Sequence, residues 1–348
     1  VAFTRKPPIS PVRWQPPPID ELPPLRAPAV TVVPVPGHAP EDVVVDAQGR
    51  LWTGVDDGRI LRLAPDGGEP TVVANTGGRP LGLAVARDGR LLICDSPRGL
   101  LALEPETGEL EPLVEHVDEH VGRGSADSAR RRHLQFCSNV TETSDGTIYF
   151  TESTSAFTYA HFKGAALEAR GRGGLFRRDP DGTVTTLADG LYFTNGVTVT
   201  ADGSALVFAE TLGRRLSKFW LTGPQAGTVT PLVANLPGYP DNLSTGADGR
   251  IWVAMVSPPN AAAEGLAPRA PVLRRLLWLL PDRFAPQLAA EVWAVAFDPD
   301  SGDVVAGLRT THPDFGMVTG LVESGGRLWM GCIGASALAH VALDDVTL

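Results

Sequence analysis

A turn followed by a short apolar strand recurs six times along the chain, and no other feature restricts the fold as strongly. The copies are Gln48-Gly49-Arg50-Leu51-Trp52, Asp88-Gly89-Arg90-Leu91-Leu92, Asp145-Gly146-Thr147-Ile148-Tyr149, Asp202-Gly203-Ser204-Ala205-Leu206, Asp248-Gly249-Arg250-Ile251-Trp252 and Gly325-Gly326-Arg327-Leu328-Trp329. Asp-Gly between two apolar runs signals a hairpin, because glycine takes the positive φ that a tight turn demands. The turn glycines Gly49, Gly89, Gly146, Gly203, Gly249 and Gly326 stand 40, 57, 57, 46 and 77 residues apart. A propeller blade of four strands occupies about 40–50 residues. Six copies therefore predict an all-β fold, a six-bladed β-propeller, with insertions in the longer gaps. A pair of β-sandwiches is the competing arrangement. Val30 to Val35 reads as one more strand ahead of the first repeat. Pairing it with the last blade closes the ring and removes exposed sheet edges.

Outside the expected propeller of residues 29–348, residues 1–28 form a proline-rich N-terminal arm expected to lie extended over the surface. Residues 260–290 form a helical insertion, in which Val272 to Leu280 reads as a short helix stopped by Pro281. Packing as a lid over one end of the propeller is the favoured reading of this helix. Contact of residues 272–280 with a membrane surface or a second subunit is the alternative, and the oligomeric state is open.

The net charge of −10, without any basic stripe, argues against a nucleic-acid partner, which requires clustered Lys and Arg. No run of about 18 apolar residues is present, so no spanning helix is expected. Cys94, Cys137 and Cys332 are odd in number and lack metal-ligand spacing. They suggest a reducing, cytoplasmic (bacterial) setting rather than a disulfide framework or a zinc site.

Aligned on their turn glycines, the repeats place polar residues where the preceding strand begins: Glu41, Asn139, Asn195 and Asp241, against Leu81 and Val318-Thr319. Asn139 stands one position closer to its glycine, an offset attributed to turn length. On the innermost strands, equivalent positions converge at one height on the propeller axis. Carboxylates and amide oxygens without thiolates form a hard cage suited to Ca²⁺, with Mg²⁺ or Mn²⁺ as substitutes and Asn242 as a fifth ligand. The competing explanation is that these residues cap strands and hold turns. The sequons at Asn139 and Asn242 would face a closed centre, so glycosylation is not expected there.

Three stretches carry a family resemblance: Asn139 to Ser153 (NVTETSDGTIYFTES), Asp189 to Gly196 (DGLYFTNG) and Gly238 to Met255 (GYPDNLSTGADGRIWVAM). On them, residues from about 133 to 256 resemble the strictosidine synthase-like family, a branch of the six-bladed propellers that also includes gluconolactonases, senescence marker protein and paraoxonases. The resemblance implies an axial metal held by Glu41, Asn139, Asn195 and Asp241, with Asn242 added in the paraoxonase-like branch. It also implies a difference from strictosidine synthase. That enzyme has a catalytic glutamate at the start of the last inner strand, where this chain reads Gly316-Met317-Val318-Thr319-Gly320. Amine condensation is therefore not expected.

These readings predict a metal-dependent, calcium-type hydrolase of small-molecule lactones or aryl esters, in which the metal polarises the carbonyl and water attacks. Asp241 is the first candidate for general base and His133 the second. His161 and His312 are weaker candidates. Phe157, Tyr159, Tyr192, Phe193 and Tyr239 are expected to line an apolar substrate pocket. Cys137 reads as a buried structural thiol. The alternative function is a non-catalytic propeller that binds a ligand or partner and uses its metal to hold the blades together.

Overall fold

The computed structural model describes residues 6–120, 129–269, 271–281 and 287–348. Residues 1–5 of the expected arm, and residues 270 and 282–286 of the expected insertion, lie outside them. Six four-stranded antiparallel sheets form the blades of a propeller. Blades one to five run through residues 44–75, 79–114, 137–191, 194–233 and 240–310. The sixth combines three strands from residues 318–342 with Thr31–Pro34 from the start of the chain. Thr31 pairs with His340 and Pro34 with Ala337, so the ring is closed by antiparallel hydrogen bonds between the first and last strands.

Each repeat turn joins the innermost strand of a blade to the second strand, and all six turn glycines adopt positive φ, from 70° to 89°. An L side chain there would be strained against its own backbone. Three repeats continue as Arg-x-Trp. The Arg50, Arg250 and Arg327 guanidiniums lie over the rings of Trp52, Trp252 and Trp329, 5.9–6.0 Å from their centroids. All three indoles are buried, so one motif supplies both the hairpin and a large apolar wedge between blades.

The unequal repeat spacing has a structural cause. Between blades two and three, His116–His120 and Ala129–His133 form a separate two-stranded ribbon. Within blade three, the connection between its second and third strands carries helix α1, Phe162–Glu168. Blade five contains α2, Ala261–Leu266, and α3, Pro271–Leu279, in the corresponding connection. The expected helix at 272–280 is thus present. Trp278 of α3 packs with Phe157, Ala165 of α1 and Ile9 of the arm. No helix among the described residues is long and apolar enough to cross a membrane.

The described part of the arm is extended and crosses these helices. Its backbone N–H groups at Val12 and Trp14 donate to Glu168 O and Ala267 O at 3.0 and 3.1 Å. Pro7 O accepts from Trp278 Nε1 at 2.7 Å. Buried Arg274 donates to both Val12 O and Leu167 O. Buried Arg214 donates to Pro17 O and pairs with Glu264 of α2 at 3.0 Å. Proline-rich backbone has few N–H groups but every carbonyl, and arginines and an indole supply the matching donors.

Candidate active site

The innermost strands of blades two to five share one irregularity near the propeller axis. In blade five the pairing passes from Pro240–Met255 to Leu243–Val253, leaving Asp241 and Asn242 opposite the single residue Ala254. The same two-against-one bulge holds Leu81-Gly82, Ser138-Asn139 and Asn195-Gly196. Strict alternation would send adjacent side chains to opposite faces. A bulge bends the strand and re-aims them, so neighbouring residues such as Asp241 and Asn242 both serve the centre.

This register corrects the turn-length explanation for Asn139. Ser138 takes the position equivalent to Glu41, Asn195 and Asp241, with an unaltered turn, and Asn139 takes the next, equivalent to Asp42 and Asn242. Asn139 Oδ1 accepts from the backbone N–H of Val197 in blade four at 3.1 Å. Asp42 does the same between blades one and two, accepting from Leu83 N at 2.9 Å. At these two positions the side chains tie blade three to blade four and blade one to blade two.

A pocket with a volume of about 180 Å³ opens onto the first set of positions. Glu41, Ser138, Asn195, Asp241 and Thr319 line its polar floor. Asn195 Nδ2 donates to Asp241 Oδ1 at 2.7 Å, and Ser138 Oγ donates to Asn195 Oδ1 at 2.9 Å. Asn242 Nδ2 lies 3.3 Å from both carboxylate oxygens of Glu41. All these residues are buried. Burial is the main reason that the carboxyls of Glu41 and Asp241 are pushed well above their ordinary range. The charges of Asp241 and Asp42 raise Glu41 further, Asp42 raises Asp241, and the Arg79 guanidinium opposes the shift at Glu41. Asp42 itself is raised to about 7 by burial, against the pull of its backbone hydrogen bonds.

The axial residues fit a hard divalent cation. Their donors are all oxygen, the charge of Asp241 acts on the buried carboxyl of Glu41, and Asn242 Oδ1 is buried with no hydrogen-bond partner. Half of the donors are amides. Accordingly, no three His, Cys, Asp or Glu side chains gather into a metal cluster among the described residues.

Phe136, Tyr159, Phe162, Phe193 and Tyr239 form the aromatic wall above this floor. Tyr159, Phe193 and Tyr239 are therefore where an apolar pocket was expected. Phe157 is not: it is buried beneath the helices against Trp278. Tyr192 also misses the pocket and stacks on Trp14 of the arm, centroids 5.9 Å apart. Phe193, between Tyr192 and the site, has φ +62°, and this reversal separates the directions of the two rings. His133 does not line the pocket either. It lies in the two-stranded ribbon, its ring edge-on to His116, with Nδ1 2.7 Å from Leu134 O. That placement removes it from the catalytic set.

Several lining residues gave no repeat signal. Phe162 and Lys163 come from α1, and Asn260 and Ala263 from the start of α2. Arg79, at the base of blade two, sits beneath the wall with its guanidinium 4.9 Å from the Tyr159 ring centroid. Cys137 is fully buried, with its Sγ 3.1 Å from Cys94 Sγ.

The family model described as SMP-30/Gluconolactonase/LRE-like region matches residues 39–263. Over 310 residues the chain is 29% identical to Protein STRICTOSIDINE SYNTHASE-LIKE 4 of Arabidopsis thaliana, covering 87% of this chain and 79% of that one. Over 339 residues it is 30% identical to Protein STRICTOSIDINE SYNTHASE-LIKE 10 of the same plant, covering 88% and 86%. Among solved structures, a gluconolactonase from Xanthomonas campestris superposes with a TM-score of 0.63 at 18% identity, covering 98% of this chain and 99% of that one. At that identity the likeness concerns the fold.

Proposed function

The chain belongs to the SMP-30/Gluconolactonase/LRE-like family, and from that premise we propose that it is a hydrolase of lactones or aryl esters that works with an axial divalent cation, calcium in the first instance. The observation that carries this reading is the meeting of Glu41, Asn195 and Asp241 on the floor of an aromatic pocket. A carbonyl compound entering such a pocket leaves water behind and meets concentrated polar groups, where electrostatic effects are strongest.

Glu41, Asn195, Asp241 and Asn242 would hold the cation, with Asn139 beside them. Bound there, a divalent cation supplies Lewis-acid polarisation of the ester carbonyl. Asp241 acts as general base and accepts the proton of the attacking water. Asn195 holds that carboxylate in place through its 2.7 Å hydrogen bond, and Ser138 fixes the Asn195 amide in turn. Hydrolysis opens a lactone to its hydroxy acid, or releases the phenol of an aryl ester.

The competing reading is a ligand-binding propeller in which the cation only ties blades together. The direct contacts of Asn195 with Asp241 and Asn242 with Glu41 favour it, since they already join separate blades. Metal analysis of the purified protein, with a panel of lactones and aryl esters assayed before and after chelation, separates the two. Stoichiometric calcium with chelator-sensitive, calcium-restored hydrolysis supports the enzyme. Bound metal without turnover of any panel member supports the binding propeller.

A further inference from the structure

The charged residues of the pocket come from two different parts of the fold, the inner strands and helix α1. Glu41 and Asp241 lie on the floor, and the one other charged side chain among the described lining residues is Lys163 of α1. Lys163, Ala166 and Leu167 share one helical face, at the i, i+3, i+4 spacing, and all three line the pocket. The lysine stem therefore runs along an apolar wall, while the ammonium makes no hydrogen bond or ion pair with any described residue. The lysine comes from α1, in the connection between the second and third strands of blade three, whereas Glu41 and Asp241 come from the starts of innermost strands.

We propose that this pocket takes amphipathic esters or lactones that carry an anionic group, such as a carboxylate, at the end away from the reacting carbonyl. The inference rests on the hydrolase reading of the same site and adds a substrate class to it. Aromatic and aliphatic walls accept the apolar body. In the hydrolase reading the floor carboxylates are engaged in holding the cation, and Lys163 attracts the anion to its own wall, so the lysine selects the orientation. A neutral ester of the same length has the apolar contacts alone. A sugar lactone would satisfy neither the walls nor the lysine.

The test uses matched substrates: the mono-p-nitrophenyl ester of suberic acid, with a free carboxylate, and p-nitrophenyl octanoate, without one. For the unaltered protein, kcat/KM is expected to favour the anionic ester by about tenfold, the size of a partly desolvated charge-assisted contact. The preference should shrink as salt is added. Lys163→Met, which keeps the stem, should bring the ratio towards unity, and Lys163→Arg should restore most of it. An equal ratio in the unaltered and Lys163→Met proteins overturns the inference and leaves the hydrolase reading standing. If neither ester is cleaved, the hydrolase reading fails, and the two esters become stable ligands for calorimetric titration. Tighter binding of the anionic ester that is lost in Lys163→Met then upholds the charge preference. Equal binding overturns it.

Discussion

Asn195 Nδ2 lies 2.7 Å from Asp241 Oδ1, a contact between the inner strands of blades four and five at the floor of the pocket. It orients the carboxylate assigned as base, and it makes that carboxylate part of the structure around the axis. Function and stability therefore have to be separated by measurement at this position.

Asp241→Asn keeps the shape and most of the hydrogen-bonding capacity while removing the base. Hydrolysis is expected to fall by at least about 100-fold, as for loss of a general base, with the circular dichroism spectrum retained. Full activity in a folded Asp241→Asn protein would exclude Asp241 as the base.

With divalent cations chelated, stability should depend on pH through the axial carboxyls. The Asp42 carboxyl is raised to about 7 from an ordinary 3.8, and Glu41 and Asp241 shift in the same direction. A group with a folded pKa above its unfolded value stabilises the fold fully below the unfolded value and loses that contribution as pH rises through the folded value. The melting temperature of the chelated protein is thus expected to drop by about 3–5 °C between pH 5 and pH 8. Asp42→Asn should flatten the drop, and added calcium should reverse it. A chelated protein equally stable at both pH values contradicts this account of the axis.

Gly196 is required by close approach. A Cβ there would stand 2.5 Å from Leu243 N and 2.6 Å from both Asn242 Cα and Asp241 O. All three obstructing atoms are backbone of the next blade, which cannot rotate away. Gly196→Ala is expected to destabilise the protein by about 2–3 kcal/mol, as overpacking does, and to shift Asp241. A thermal melt and the hydrolysis rate read the two effects.

Trp278 connects α3, α1 and the arm. Trp278→Ala removes a buried ring and is expected to cost those helices about 3 kcal/mol of packing, whereas the blades share none of these contacts. Limited trypsin digestion should then cut sooner at Arg269 or Arg275, while the propeller melts nearly as before. Unchanged digestion would show that the helices are held by other contacts.

The six-bladed ring was legible in the sequence because its signal is local and repeated. A Gln-Gly, Asp-Gly or Gly-Gly turn with an apolar strand after it says the same thing at Gly49 as at Gly249, whatever the neighbours do. Thr31–Pro34 was readable as a strand for the same reason, and its partner followed from the need to close the ring. The axial height of Glu41, Asn195 and Asp241 also follows from the repeat, because equivalent positions in equivalent strands occupy equivalent places. Tertiary structure decided the rest. The bulge at Ser138-Asn139 sets which of two adjacent polar residues faces the pocket, and bulges arise from pairing with a partner strand, which no local pattern records. The reversal at Phe193 sent Tyr192 to the arm, and the chain path of the helices buried Phe157 while bringing Lys163 to the pocket. A repeat predicts what all six blades share; the pocket is lined largely by the segments in which they differ, and packing alone places those.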